Sequence, residues 1–150
     1  MACNNQPKPV TENTKIDKDQ TTTVTKEPAT DTIAELQVES FDLPPAIQGC
    51  SGVYATDSLE LQQGKFILVS NLKDSAFVKI NGRLLPLVLQ KKVSDDIMAN
   101  ETYIGEGVQV QINTTQQRKL GEELWQYTGE IIIRKGSQHI SMPVTGTVCC

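Results

Sequence analysis

The chain has 150 residues, 38% of them hydrophobic and 21% charged, with a formal net charge of −4 and a pI near 5.0. That length suits a single domain of ordinary globular composition. The acidic balance supplies no cationic surface to displace counterions from phosphates, which excludes nucleic acid as an expected partner; nor does the chain contain a run of roughly 18 apolar residues that could span a bilayer as a helix.

The averages conceal a split. Between Asn4 and Thr32 the only large aliphatics are Val10, Ile16 and Val24, and Thr, Lys, Asp, Glu, Gln, Asn and Pro fill most other positions. Such a stretch cannot bury enough apolar surface to offset backbone ordering, at about 1–2 kcal/mol per residue, and is expected to be disordered. Residues 4–48 carry four lysines against eight acidic side chains, whereas residues 49–150 carry ten of each sign. Residues 1–40 therefore read as a tether and 41–150 as the folded domain. At the start of the tether, Met1-Ala2-Cys3-Asn4-Asn5 resembles the end of a bacterial lipoprotein signal peptide, where a small residue precedes an acylated Cys. The resemblance implies lipid attachment at Cys3. A multiply acylated Cys is a stable membrane anchor, and about 30 flexible residues reach roughly 30 Å from it.

From Phe41 onward the dominant period is two. Pro44-Pro45 form a rigid lead-in, and Ile47 to Tyr54 hold a first short strand. Phe66-Ile67-Leu68-Val69 is a continuous apolar run of strand length, as expected for burial on both faces. Ala76, Val78 and Ile80 alternate with Phe77 and Lys79, Asn81-Gly82 interrupts, and Leu84 to Leu89 resume. An Asn-Gly pair between two such runs predicts a type I′ hairpin, whose central residues both need positive φ. After a polar stretch, Val108, Val110 and Ile112 alternate with Gln109, Gln111 and Asn113. Trp125, Tyr127, Gly129, Ile131 and Ile133 share one face of the next strand, which assigns both aromatics to the core and marks Gly129 as a point for a bulge or tight bend. Lys135-Gly136-Ser137-Gln138 then turns the chain back into Ile140, Met142, Val144, Gly146 and Val148. Pro86 and Pro143, lacking an amide for a central ladder, belong at edges or strand starts. Helical signal is poor; the best window, Ile33 to Ser40, reads nearly as well as extended chain. The expected fold is all-β, a small antiparallel barrel or sandwich of about seven or eight strands.

The cysteines bracket this domain. A bridge from Cys50 to Cys149 or Cys150 would tie its first strand to its last, fitting an oxidising compartment. The count then leaves one terminal thiol free. A metal or redox site on the terminal pair would need further ligands, and His139 is the only histidine. No metal or cofactor is expected, and a lone His gives no basis for a catalytic triad. Ser94-Asp95-Asp96, with Asn100 and Glu101 behind, is rich in oxygen but matches no calcium-loop spacing and reads as a solvated connection. The charged segment Thr115 to Glu123 reads as a loop, with Gln117, Arg118, Lys119, Glu122 and Glu123 as the first choice of contact surface.

The hairpin Ala76-Phe-Val-Lys-Ile-Asn-Gly-Arg-Leu-Leu-Pro-Leu87 resembles the Ala-x-Val-x-Leu-x-Gly…Leu hairpin of the membrane-bound inhibitors of c-type lysozyme. That family consists of periplasmic lipoproteins with a small disulfide-tied barrel. Its inhibitory Ser-Gly-x-x-Tyr loop has no counterpart here, where Met98-Ala-Asn-Glu-Thr102 precedes Tyr103. The chain also resembles small lipoproteins of Gram-negative envelopes in general. The expectation is a non-enzymatic, monomeric binding module, anchored to the membrane at the periplasmic or outer-membrane surface, with a protein or glycan partner in the envelope. Lysozyme or protease inhibition, and a thiol role for the terminal Cys pair, are the competing expectations.

Overall fold

The computed structural model describes residues 35–150. Cys3 and the tether through residue 34 lie outside the described residues. The architecture is an eight-stranded, antiparallel, closed barrel with one added strand, which resolves the choice between barrel and sandwich. The strands are Val38–Glu39 (β1), Ser51–Ala55 (β2), Leu68–Ser70 (β3), Ser75–Ile80 (β4), Arg83–Ser94 (β5), Met98–Gly105 (β6), Val108–Gly121 (β7), Leu124–Lys135 (β8) and Gln138–Cys149 (β9). From β2 to β9 each strand pairs with the next in sequence, and β2 closes the ring against β9 through five residue pairs, Ser51↔Cys149 to Ala55↔Thr145.

Alternation drives the closure, because every strand buries one face in a shared interior. Val108, Val110 and Ile112 of β7, Ile131 and Ile133 of β8, and Leu85 and Leu87 of β5 meet Val78, Ile80, Tyr103 and Val144 there. The apolar run at Phe66 is buried on both sides, as its sequence requires. Ile67 and Leu68 join the barrel core, while Phe66 and Val69 join a second cluster with Phe41 and Ile47, supported by Leu43 and Leu61. The Pro44-Pro45 lead-in thus lies over the outside of the barrel, held by reciprocal backbone hydrogen bonds between Phe41 and Phe66 of 2.8 and 2.9 Å. Leu61 reaches that cluster from a short helix, Ser58–Gln62 (α1), whose five residues are too few to carry a helical period. Its cue is local: Asp57 caps it by accepting from the Glu60 amide at 2.8 Å.

Asn81 and Gly82 have φ of 47° and 79°, the pair of positive values that a type I′ turn demands. The polar stretch beyond Ser94 is largely strand. Asp95 to Ile97 make a tight turn, β6 follows, and Glu106-Gly107 form a second positive-φ hairpin turn. Pro86 and Pro143 sit inside β5 and β9, each in a stretch with a ladder on one side only. Pairing of β5 with β6 begins at Val88, and pairing of β9 with β2 covers only Thr145 onward. Gly129 produces close approach without a bulge. A methyl group there would overlap the Asn113 carbonyl and lie 2.8 Å from the Thr114 Cα, so β7 and β8 coil together only because no side chain intervenes.

The sequence-based tether boundary at residue 40 gives way to an earlier contact. Leu36 is buried in the barrel core, and Val38–Glu39 pair with Ile80 and Lys79 of β4. A disulfide joins Cys50 to Cys150 across the β2–β9 seam. Cys149 is not the expected leftover thiol, since no described cysteine is free.

Candidate functional site

One end of the barrel is filled with aliphatic side chains, and the other opens into a cavity of about 220 Å³. Tyr54, Leu72, Lys92, Glu101, Thr114 and Tyr127 are prominent in its walls, with the Asp95–Met98 turn overhanging the rim. The change of character is written in the strands. Glu101 precedes Tyr103 on the inward phase of β6, and Thr114 follows Ile112 on that of β7. Lys92 reaches the mouth through a bulge. Leu85, Leu87 and Leu89 mark the inward phase of β5, which would send Lys91 inward next. A register shift between Leu89 and Lys91 makes Gln90 the extra residue and sets Lys92 directly opposite Glu101.

The buried polar groups form a directed chain. The Leu72 amide donates to the Ser70 Oγ at 2.9 Å, and Ser70 and Tyr103 hydroxyls lie 3.1 Å apart. Tyr103 donates to Glu101 Oε2 at 2.9 Å, and Lys92 Nζ is 3.1 Å from Glu101 Oε1. With Tyr103 donating to the carboxylate, the Ser70 proton points to the Tyr103 oxygen, so each bond polarises the next. Burial, and then the nearby Glu101 charge, raise the Tyr103 hydroxyl far above its ordinary value and keep it a donor. The same two causes act on Tyr54. Leu72 has a φ of 61°, uncommon for a residue with a side chain, and is held there while lining the mouth. Its loop is tied by Asn71 Oδ1, which accepts from the amides of Lys73, Asp74 and Ser75 at 2.9–3.0 Å.

Tyr54 is the least ordinary member. Its side chain is 3% exposed, and its ring lies over Gly146, the residue opposite it on β9, where an added methyl would meet the ring. Its hydroxyl has no hydrogen-bond partner among the described residues, yet no fully enclosed polar side-chain atom lacks one. The hydroxyl is therefore the part of Tyr54 that opens on the cavity. Tyr127, paired with the other side of Gly146, brings a second ring to the wall.

The residues favoured by sequence lie elsewhere. Thr115 to Gly121 continue β7, so the expected loop is a long hairpin closed by Glu122-Glu123. Gln117 is the extra residue of a bulge, the Arg118 Nε donates to Gln126 Oε1 at 2.8 Å, and Lys119 sits 5.3 Å from the Trp125 ring centre. Trp125 is half-buried beneath that lysine and outside the two core clusters, whereas Tyr127 packs against the core as expected. None of Gln117, Arg118, Lys119, Glu122 and Glu123 lines the mouth. Asp95 uses its carboxylate to make a turn, accepting from the Ile97 and Met98 amides at 2.8 and 2.7 Å. His139 is exposed opposite Arg134. Among the described residues no group of three or more His, Cys, Asp or Glu is placed to hold a metal.

Comparison with protein-family models, with curated proteins and with solved structures returns no match. The described residues form an up-and-down barrel with a polar mouth.

Proposed function

We propose that the protein is a non-catalytic binding module of a bacterial cell envelope whose barrel mouth holds a small ligand. The observation that carries this reading is the unpartnered hydroxyl of buried Tyr54, facing a cavity beside the Lys92–Glu101 pair. Ligand sites of this kind are concave and mostly apolar, with a few fixed polar groups, and barrel mouths are one of their habitual places. Ser70 is engaged by both the Leu72 amide and Tyr103, so it lacks the neighbouring base that an activated nucleophile requires. The cavity, at about 220 Å³, suits a ligand of small-metabolite size.

The test is to titrate the isotopically labelled full chain with small metabolites and follow amide resonances. Binding at the mouth moves the amides of Tyr54, Lys92, Glu101, Thr114 and Tyr127 together. Shifts confined to Gln117–Glu123, or turnover of a bound compound, would refute the reading. The envelope location rests on the Cys50–Cys150 disulfide and the Ala2-Cys3 motif. Intact mass after expression with an export signal in a Gram-negative host, with and without reductant, decides whether Cys3 carries acyl chains. An unmodified Cys3 removes the anchor from the proposal.

A further inference from the structure

Given that the mouth is a ligand site, its charge and shape narrow the class of ligand. The lining carries one cation, Lys92, and three carboxylates, Asp95, Asp96 and Glu101. The cation is already committed to Glu101 at 3.1 Å. An anion entering here meets a net negative wall and no uncommitted positive charge. A cation meets a buried carboxylate and the side chain of Tyr127, and aromatic rings attract cations through their quadrupole. Tyr54 adds a hydroxyl free to accept from a donor. The chain itself shows the geometry, because the Lys92 Nζ is a primary ammonium seated on Glu101 Oε1. Its side chain is 38% exposed, on a flexible stem, so the ammonium can leave the carboxylate for solvent without movement of the barrel.

We infer that the mouth takes a small primary-ammonium ligand, whose nitrogen replaces the Lys92 ammonium on Glu101 and whose remainder lies against Tyr54 and Tyr127. Lys92 is then an internal competitor that closes the empty site. It also keeps the buried carboxylate paired until a ligand arrives, as an isolated buried charge would be costly. The Gln90 bulge decides which lysine takes this place, since without it Lys91 would face Glu101 and Lys92 would point outward.

The experiment uses the full chain and four probes: butylamine and ethanolamine as ammonium ligands, butan-1-ol as the neutral counterpart of the first, and inorganic phosphate as the anion. Both amines are expected to move the mouth amides, and the alcohol and phosphate to leave them in place. Lys92→Met should tighten amine binding by at least about tenfold, and Glu101→Gln should weaken it by a similar factor. The opposite signs matter, because a variant that merely loosened the fold would weaken binding in both cases. If Glu101→Gln fails to fold, Lys92→Met and Tyr54→Phe carry the test, the second expected to weaken binding while leaving the fold intact. Unchanged or weaker amine binding by Lys92→Met overturns the inference. Binding of butan-1-ol or phosphate at the mouth as strongly as the amines overturns it too, while leaving the mouth standing as a ligand site. Silence of the mouth amides toward all four probes overturns the ammonium inference, and silence in the wider metabolite titration as well removes the site itself.

Discussion

Replacing Cys50 and Cys150 together by Ser, with Cys149 left in place, tests how the barrel is held closed. The bond spans 100 residues of sequence and lies at the end of the β2–β9 ladder, whose five residue pairs are, among the described residues, the only strand pairing that joins the last strand to the first strand of the barrel. In the folded state the substitution removes no core side chain, so its effect falls mainly on the unfolded ensemble. Closing a loop of about 100 residues is worth about 4.7 kcal/mol in the chain-entropy model. At about 4 °C per kcal/mol for a domain slightly above 100 residues, the midpoint should fall by roughly 15–20 °C. The assay is thermal and urea unfolding followed by far-ultraviolet circular dichroism and by Trp125, the single tryptophan, which pairs with Val148 of β9. The urea m-value should rise, since an unbridged denatured chain exposes more surface. A midpoint unchanged to within about 3 °C, or a falling m-value, would refute the reasoning and place the closure energy in the ladder.

Three further outcomes are expected. Gly129→Ala should cost about 3 kcal/mol or more, because its methyl meets the β7 backbone; Gly121→Ala, whose methyl would lie 3.6 Å from the nearest side-chain atom, is the control within about 0.5 kcal/mol, and equal losses in denaturant melts would contradict the packing. Tyr103→Phe strips buried Ser70 and Glu101 of a partner and should cost about 1–3 kcal/mol, whereas Tyr54→Phe removes a hydroxyl that bonds to nothing and should fall within about 0.5 kcal/mol; the reverse order in urea titrations would overturn the assigned network. Asp74 and Asp95 are held below their ordinary carboxyl value, the first by the side chains of Asn71 and Ser75, the second by the amides of Met98 and Ile97. Their contribution is present above the unfolded carboxyl value of about 4 and is lost as pH falls through the lowered ones. Asp95→Asn keeps an acceptor oxygen without the titration, so it should flatten the acid-side loss of stability, and an unchanged pH profile would count against the assignment.

The site was only partly legible. Glu101 and Tyr103 alternate within Met98–Gly105, and Thr114 keeps the phase of Val110 and Ile112, so charged and polar groups on an inward phase were visible. They went unread because the stretch around Glu101 carries too little aliphatic character to declare a strand. Its pairing on both sides, with β5 and β7, supplies the order that its own composition does not. The charged segment at Gln117 misled for the opposite reason. Its polarity suggested a loop, but an extended hairpin can stay polar on both faces once it projects past the core.

Local chemistry settled what local chemistry governs. Period-two alternation dictated β structure, Asn81-Gly82 dictated a type I′ turn through its positive φ values, and the placement of cysteines at both ends of the domain foretold a seam-spanning bond. Tertiary structure decided whatever depends on a partner distant in sequence. The register Ser51↔Cys149 makes Cys150, and not its neighbour, the residue across from Cys50. Closure of β2 on β9 makes a barrel where the same strands could have stacked as a sandwich. The one-residue bulge at Gln90 turns Lys92 inward, and because side-chain direction reverses with every residue of a strand, no reading of β5 alone could have put that ammonium on Glu101.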